Sequence, residues 1–141
     1  MAELSGNPIV LEGGCLCGSV RYRAVGQPRD MTHCHCTTCR RASGAAFVTW
    51  FSVKTRELSW VRGELRRYRS SDIAHRSFCA NCGTPLTYQR VDSEDEIDIT
   101  ACSLDTPTLI TPTDHIWTNT RLPWGECDDG LPSFAERRPQ N

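Results

Sequence analysis

The stretch GGCLCGSVRY, residues 13–22, places two cysteines one residue apart between glycines. Side chains two residues apart lie on one face of an extended backbone, so Cys15 and Cys17 can bind the same ion. The flanking glycines let the chain bend around that ion. Because hydrophobic residues make up only 38% of the chain, a metal crosslink here would add stability that the core alone lacks. We therefore expect this stretch to decide the fold.

A second cysteine pair complements the first. Cys79 and Cys82, in FCANCG at residues 78–83, have the spacing of a zinc knuckle, in which a tight turn directs both thiolates at one ion. Either pair alone could be a redox pair or two small buried apolar residues. Together the pairs supply the four thiolates of a tetrahedral structural zinc site. The sequence favours such a site, with Cys15, Cys17, Cys79 and Cys82 as ligands.

A third cluster, HCHCTTC at residues 33–39, contains only three cysteines. Cys34, Cys36 and Cys39 can bind one ion from a single loop and leave one position open, as catalytic zinc sites do. A soft, sulfur-bound ion would accept a further thiolate or a water in that position. The sequence therefore predicts a second zinc site, able to take a small thiol.

The histidines of this cluster offer an alternative. Either His33 or His35 could fill the fourth position and turn the second site into another closed structural site. Strand alternation argues against this, because it places both histidines on the face opposite the cysteines. A histidine beside a bound thiol could still move a proton near neutral pH.

The composition narrows the function classes. The 141 residues predict a single domain, and the formal net charge of −1 gives no field that favours nucleic acid or an anionic membrane. No apolar run approaches the length that spans a bilayer, and the first residues lack the features of a signal peptide. We expect a cytoplasmic protein, in which clustered cysteines bind metal or react more often than they form disulfides.

Short strands separated by turns dominate the predicted secondary structure. The predicted strands are residues 19–25, 46–53, 57–61, 65–69, 74–78, 86–90 and 96–101. Residues 37–42 are predicted as a short helix that Gly44 ends. The arginine-rich run 62–76 is interpreted as a solvated strand edge. Residues 107–141 contain five prolines, and the last thirty residues are expected to cover the surface as irregular coil.

The cysteine clusters and the C-terminal half resemble the glutathione-dependent formaldehyde-activating, or Gfa-like, family, whose relatives include centromere protein V. The matching segments are GGCLCGSVRY (13–22), HCHCTTCRRASGAAF (33–47), FCANCGTPL (78–86), HIWTNTRLPW (115–124) and DGLPSF (129–134). The resemblance covers most of residues 13–134. It implies a mainly β, zinc-pinned antiparallel β-tent fold, in one domain over residues 1–141 with short helical turns.

The resemblance also implies two zinc ions per chain, with glutathione as the co-substrate. The first four cysteine positions match the family's structural ligands, and Cys34, Cys36 and Cys39 match the ligands of its catalytic zinc. The implied activity adds glutathione to formaldehyde and gives S-hydroxymethylglutathione, which is a carbon–sulfur lyase reaction run in reverse. A small thiol and an aldehyde are therefore the expected partners, with neither nucleic acid nor membrane.

Further site residues follow the triplet. Arg40 and Arg41 could pair with the carboxylates of a tripeptide thiol, although a solvated helix face explains them equally well. His115, Trp117 and Trp124 could line the substrate pocket, with a core position favoured for the tryptophans.

The alternative function is a non-catalytic zinc-binding module for thiol or protein partners. A nucleic-acid-binding zinc ribbon ranks low, because no basic stripe lies near the cysteines.

Overall fold

The structure is a computed structural model, and it describes residues 7–139. Most of its regular structure is β, which confirms the predicted fold class. The single α-helix of the described residues, α1, spans Thr37–Ser43. The strands are β1 (Ile9–Gly14), β2 (Arg21–Gly26), β3 (Arg29–Cys34), β4 (Val48–Lys54), β5 (Leu58–Arg62), β6 (Leu65–Arg69), β7 (Ala74–Cys79), β8 (Pro85–Arg90), β9 (Glu96–Thr100) and β10 (Asp114–Ile116).

The strands form two open sheets. The smaller sheet has the order β1-β2-β5, and both of its pairings are antiparallel. The larger sheet has the order β10-β3-β4-β9-β8-β7-β6, in which only β10 and β3 run parallel. Two neighbouring pairs of the larger sheet, β10-β3 and β4-β9, join distant parts of the chain, so residues far apart in sequence share one surface.

The main core lies where both sheets contribute apolar side chains. In β2, Tyr22 and Ala24 are buried while Arg23 between them is exposed, as the two-residue period of a strand dictates. Phe51 of the central strand β4 and Ile99 of the adjacent β9 are fully buried. Each such side chain stabilises the fold by about 1.5–3 kcal/mol relative to an exposed one. This core fixes the two sheets against each other.

Helix α1 begins and ends where its sequence directs. The Cys36 side chain caps its N-terminus by accepting a hydrogen bond from the backbone N–H of Cys39. Gly44 ends it in the left-handed conformation, with φ of 70°, which glycine adopts without steric cost. The observed bounds differ by one residue from the predicted helix over 37–42.

Three strands were absent from the predictions: β1, β3 and β10. The first, with the sequence IVLEGG, lacks a full apolar–polar alternation and ends in two glycines. The last is only three residues long and lies in the proline-rich region expected to be irregular, where pairing with β3 stabilises it. No helix within residues 7–139 is long and apolar enough to cross a membrane.

Candidate metal centres

Four cysteines, the quartet, come together between the two sheets. Cys15 and Cys17 lie in the turn between β1 and β2, Cys79 ends β7, and Cys82 lies in the turn before β8. All four Sγ atoms lie within 4.8 Å of one another. The Sγ of Cys17 lies 3.5 Å from that of Cys15 and 3.9 Å from that of Cys79. Tetrahedral zinc with bonds of about 2.3 Å needs sulfurs about 3.8 Å apart, so the quartet fits such an ion.

Hydrogen-bond donors surround the sulfurs of the quartet. The backbone N–H groups of Asn81 and Cys82 each donate to Cys79 Sγ at 3.3 Å. The Ser19 hydroxyl lies 3.1 Å from Cys17 Sγ, and the Asn81 side-chain amide donates to the same sulfur at 3.3 Å. These bonds, with Ser19 foremost, lower the pKa of Cys17 to about 5. The turns around the quartet therefore favour the thiolate at Cys17 and Cys79, the form that binds metal, whereas burial raises the pKa of Cys15.

The other three clustered cysteines, the triplet, lie at the junction of β3 and α1. Cys34 is the last residue of β3, Cys36 is the N-cap of α1, and Cys39 is in its first turn. Their Sγ atoms also lie within 4.8 Å of one another. Hydrogen bonds from the side chains of Cys34 and Cys39 lower the pKa of Cys36. The triplet therefore forms a second compact set of soft sulfur donors, which suits zinc.

The histidines of the cluster face away from the triplet. His33 and His35 pack against His115, with ring centroids 4.8 and 5.1 Å from it. Thr32 and Cys34, which alternate with these histidines along β3, line a cleft on the other side of the sheet. Within the described residues, the group of donors around Cys34, Cys36 and Cys39 contains no fourth side chain. The alternative in which a histidine closes the site is therefore disfavoured.

The cleft beside the triplet has a volume of about 1150 Å³. All three triplet cysteines line it, and none of the quartet cysteines does. Further lining side chains come from six strands and from the C-terminal segment, including Trp50, Arg76, Tyr88, Asp98, Trp117 and Arg137. The triplet is thus the cluster that opens onto space for a small molecule.

Arg76 brings a positive charge to the triplet. Its guanidinium lies 5.0 Å from the ring centroid of Tyr88 and 6.0 Å from that of Trp50, which holds it in place. Its Nη2 donates to Cys39 Sγ at 3.5 Å and to Thr38 Oγ1 at 3.2 Å. Its Nε is buried without a hydrogen-bond partner among the described residues.

Arg76 was missed because the run 62–76 was interpreted as a solvated strand edge. Its position in the strand distinguishes Arg76 from the other arginines of this run. Arg76 lies inside a predicted strand, between residues that are buried, whereas Arg66 and Arg67 lie on the exposed edge strand β6. A charged residue in the interior of a central strand requires either a partner or a polar cavity.

The C-terminal half contributes Trp117 to the cleft in an unusual conformation. Its φ of 57° is left-handed, which costs a non-glycine residue roughly 1–3 kcal/mol. Of the other expected wall residues, Trp124 is 76% exposed and His115 is buried on the opposite face. Arg40 and Arg41 lie on α1 after Cys39, and neither lines the cleft.

Fold and sites together define a mainly β protein with two cysteine clusters suited to zinc. The sequence model of the family described as glutathione-dependent formaldehyde-activating enzyme matches residues 10–120. This match covers most of the chain and includes all seven clustered cysteines. The chain therefore belongs to this family, and its relatives' names support a lyase-type enzyme.

Two curated relatives agree with this assignment. An uncharacterized lyase of Schizosaccharomyces pombe is 31% identical over 90 residues, which is 64% of this chain and 65% of that protein. A Halomonas elongata protein, provisionally named a glutathione-dependent formaldehyde-activating enzyme, is 43% identical over 86 residues, which is 55% of each chain. The matched region therefore spans less than two thirds of each relative's own length.

A solved structure supports the fold. The crystal structure of a Rhodobacter sphaeroides protein superimposes with a TM-score of 0.57 at 24% sequence identity. The match covers 87% of this chain and 98% of that one. At this identity the likeness applies to the fold alone.

Proposed function

We propose that this chain is a zinc-dependent carbon–sulfur lyase of the cytoplasm that adds glutathione to formaldehyde. The product is S-hydroxymethylglutathione. The observation that carries the proposal is the position of the triplet. Its three sulfur donors, which have no fourth protein ligand within residues 7–139, line a cleft, while the quartet lies away from it. Family membership and the names of the relatives support the same substrates.

In this proposal Cys15, Cys17, Cys79 and Cys82 hold a structural zinc ion, and Cys34, Cys36 and Cys39 hold a catalytic one. A zinc ion bound by the triplet would act as a Lewis acid and keep an incoming thiol ionised at neutral pH. In the overall reaction a sulfur–carbon bond forms, the C=O π bond opens, and the thiol proton ends on the former carbonyl oxygen. The cleft holds both reactants together, which lowers the entropic part of the barrier.

Arg76 has the geometry to assist at the reacting atoms. Its contact with Cys39 Sγ places the guanidinium beside any thiol that completes the triplet's coordination. The guanidinium, which lines the cleft, can donate to the carbonyl oxygen as negative charge develops there. Stacking between Tyr88 and Trp50 fixes the guanidinium before substrate arrives, so little reorganisation is needed.

Glutathione also carries two carboxylates, which need cationic partners. Arg90 and Arg138 line the cleft but already pair with Asp92 and with Asp30 and Asp114, respectively. Arg137 lines the cleft and forms no ion pair with a carboxylate in the part of the chain that the structure describes. We assign a substrate carboxylate to Arg137, and assign Arg40 and Arg41 a lesser contribution from outside the cleft.

The test is the exchange rate between glutathione and isotopically labelled formaldehyde, measured by NMR with zinc-loaded protein. The protein should raise the rate above the spontaneous one in proportion to its concentration. Arg76→Met should lower the catalysed rate by about 100-fold, as expected for loss of a preorganised donor, without loss of either zinc ion. Arg137→Ala should raise the KM for glutathione more than the double variant Arg40→Ala/Arg41→Ala does.

A matched control is Arg66→Met, which removes an exposed arginine from the edge strand β6 and should leave the exchange rate unchanged. If glutathione binds to the zinc-loaded protein but the exchange rate stays at the spontaneous value, the enzyme proposal is wrong. That outcome would favour the non-catalytic zinc-binding module instead.

A further inference from the structure

A third group of metal-binding side chains lies on the face of β3 opposite the triplet. It consists of His33, His115 and Asp129, and one ligand atom from each lies within 4.8 Å of the others. The group shares no residue with the quartet or the triplet. We propose that it binds a divalent first-row transition-metal ion through two imidazole nitrogens and one carboxylate oxygen.

Strand pairing brings the two histidines together. His115 of β10 lies directly opposite His33 of β3 in parallel register, so both side chains project from the same face of the sheet. Their ring centroids are 4.8 Å apart. Asp129 lies in the loop after a 3₁₀ turn at Pro123–Gly125, and its Oδ2 lies 2.8 Å from Nε2 of His115. The backbone N–H of Leu131 donates to its other oxygen, which orients the carboxylate.

Each histidine is held through the nitrogen that the ion does not need. Nδ1 of His33 lies 2.8 Å from Oγ1 of Thr49, and Nδ1 of His115 lies 2.8 Å from Nε2 of His35. These bonds leave Nε2 of His33 for the ion and direct Nε2 of His115 at the Asp129 carboxylate. An outer partner that accepts the second N–H of a metal-binding histidine orients the ring in this way. Phe47 packs against His33 with ring centroids 5.2 Å apart and supplies the apolar surround of such a site.

The donor set defines the class of ion. Two imidazoles and one carboxylate suit zinc, iron, cobalt or nickel, whereas magnesium and calcium prefer oxygen donors alone. Three ligands leave positions open, and Asp129, with about a third of its side chain exposed, gives an entry path. Binding would replace the hydrogen bond between Nε2 of His115 and the Asp129 carboxylate by one bond from each group to the ion, with the ring proton of His115 on Nδ1.

The test uses protein loaded with two equivalents of zinc, enough for the two cysteine clusters alone, which is then dialysed against Co²⁺ and analysed for both metals. Wild type should bind one Co²⁺ per chain, retain its zinc, and show no thiolate-to-cobalt charge-transfer absorption, which would mark exchange into the cysteine sites. Asp129→Asn should weaken Co²⁺ binding at least tenfold, since loss of an outer-shell partner alone already costs about 10–100-fold. Thr49→Val, which removes only the hydrogen-bond partner of His33 Nδ1, should weaken Co²⁺ binding by a factor within that range.

The matched control is Asp128→Asn, the adjacent carboxylate outside the group, which should bind Co²⁺ as wild type does. Circular dichroism checks that every variant is folded. The proposal is wrong if wild type takes up no Co²⁺ beyond the zinc sites, or if Asp129→Asn and Asp128→Asn bind equally. If Asp129→Asn is less thermally stable than wild type but wild type takes up no Co²⁺, the group of His33, His115 and Asp129 is a structural hydrogen-bond network and not a metal site. Because the site uses no cysteine, its failure leaves the proposed lyase function untouched.

Discussion

The quartet and the triplet are built from the same side chain but connect the molecule differently. The quartet joins residues 62 apart in sequence and links the two sheets, with Cys15 and Cys79 packed into the main core. The triplet lies within one short segment and packs with Trp50 in a separate small cluster. A cluster that bridges sheets must be closed to carry stability, whereas a local cluster can keep one side open for a ligand.

The largest effect that tests this contrast is loss of a quartet ligand. Cys82→Ser should unfold much of the protein, because structural zinc contributes on the order of 10–16 kcal/mol of apparent binding energy that is coupled to folding. Circular dichroism and metal analysis would measure the change. Cys127→Ser, an exposed cysteine outside both clusters, is the control and should keep fold and metal content. A folded Cys82→Ser protein would contradict the structural role of the quartet.

Loss of a triplet ligand should have a different result. Cys36→Ser should abolish the exchange activity and release one zinc ion per chain, yet leave the circular dichroism spectrum close to wild type. The reason is that the triplet fixes only the β3–α1 junction, while the main core and the quartet remain. The same two measurements apply as for Cys82→Ser. Equal structural collapse in the two variants would remove the distinction between the clusters.

A smaller predicted effect is on the free energy of unfolding, through the carboxyl group of Asp98 in the lining of the cleft. Burial raises the pKa of Asp98 to about 6, although Ser52 donates a hydrogen bond that opposes the shift, and the nearby carboxylates of Asp30 and Glu96 add to it. The folded pKa lies above the unfolded value near 3.8. The protonated side chain therefore contributes stability in full below about pH 4, and this contribution is lost as the pH rises through about 6.

Asp98→Asn keeps the acceptor for Ser52 but cannot ionise. At about pH 8 it should be more stable than wild type by on the order of 2 kcal/mol, and the difference should narrow as the pH falls toward about 5. Urea unfolding at several pH values would measure this. Asp92→Asn is the control of opposite sign, because the hydrogen bond from Arg90 lowers the pKa of Asp92. A difference for Asp98→Asn that does not vary with pH would contradict the assigned pKa.

The local parts of the fold were predictable from the sequence. Seven strands were placed close to their observed bounds because aromatic and β-branched residues alternate with polar ones and turns separate the segments. Gly44 ended the helix because glycine accepts a left-handed backbone. The grouping of the cysteines followed from their spacing, because two-residue and three-residue intervals bring thiolates within reach of one ion.

The cleft was not predictable in the same way. Trp50, Arg76 and Tyr88 come from β4, β7 and β8, and only the order of strands in the larger sheet brings them together. Hydrophobic periodicity reports which face a residue takes but not which strand is its neighbour. The group of His33, His115 and Asp129 depends likewise on the parallel pairing of β10 with β3, which a three-residue strand between prolines does not signal.

The sequence separation of the ligands in each cluster also affects the order in which the two clusters can form as the chain is synthesised. Bringing together residues 62 apart costs more chain entropy than bringing together residues five apart, by about 2 kcal/mol on a loop-closure argument. During synthesis from the N-terminus, the triplet emerges whole before the second half of the quartet exists. If both clusters bind zinc as proposed, the triplet can bind its ion on the nascent chain, and the quartet, which links the two sheets, binds its ion last.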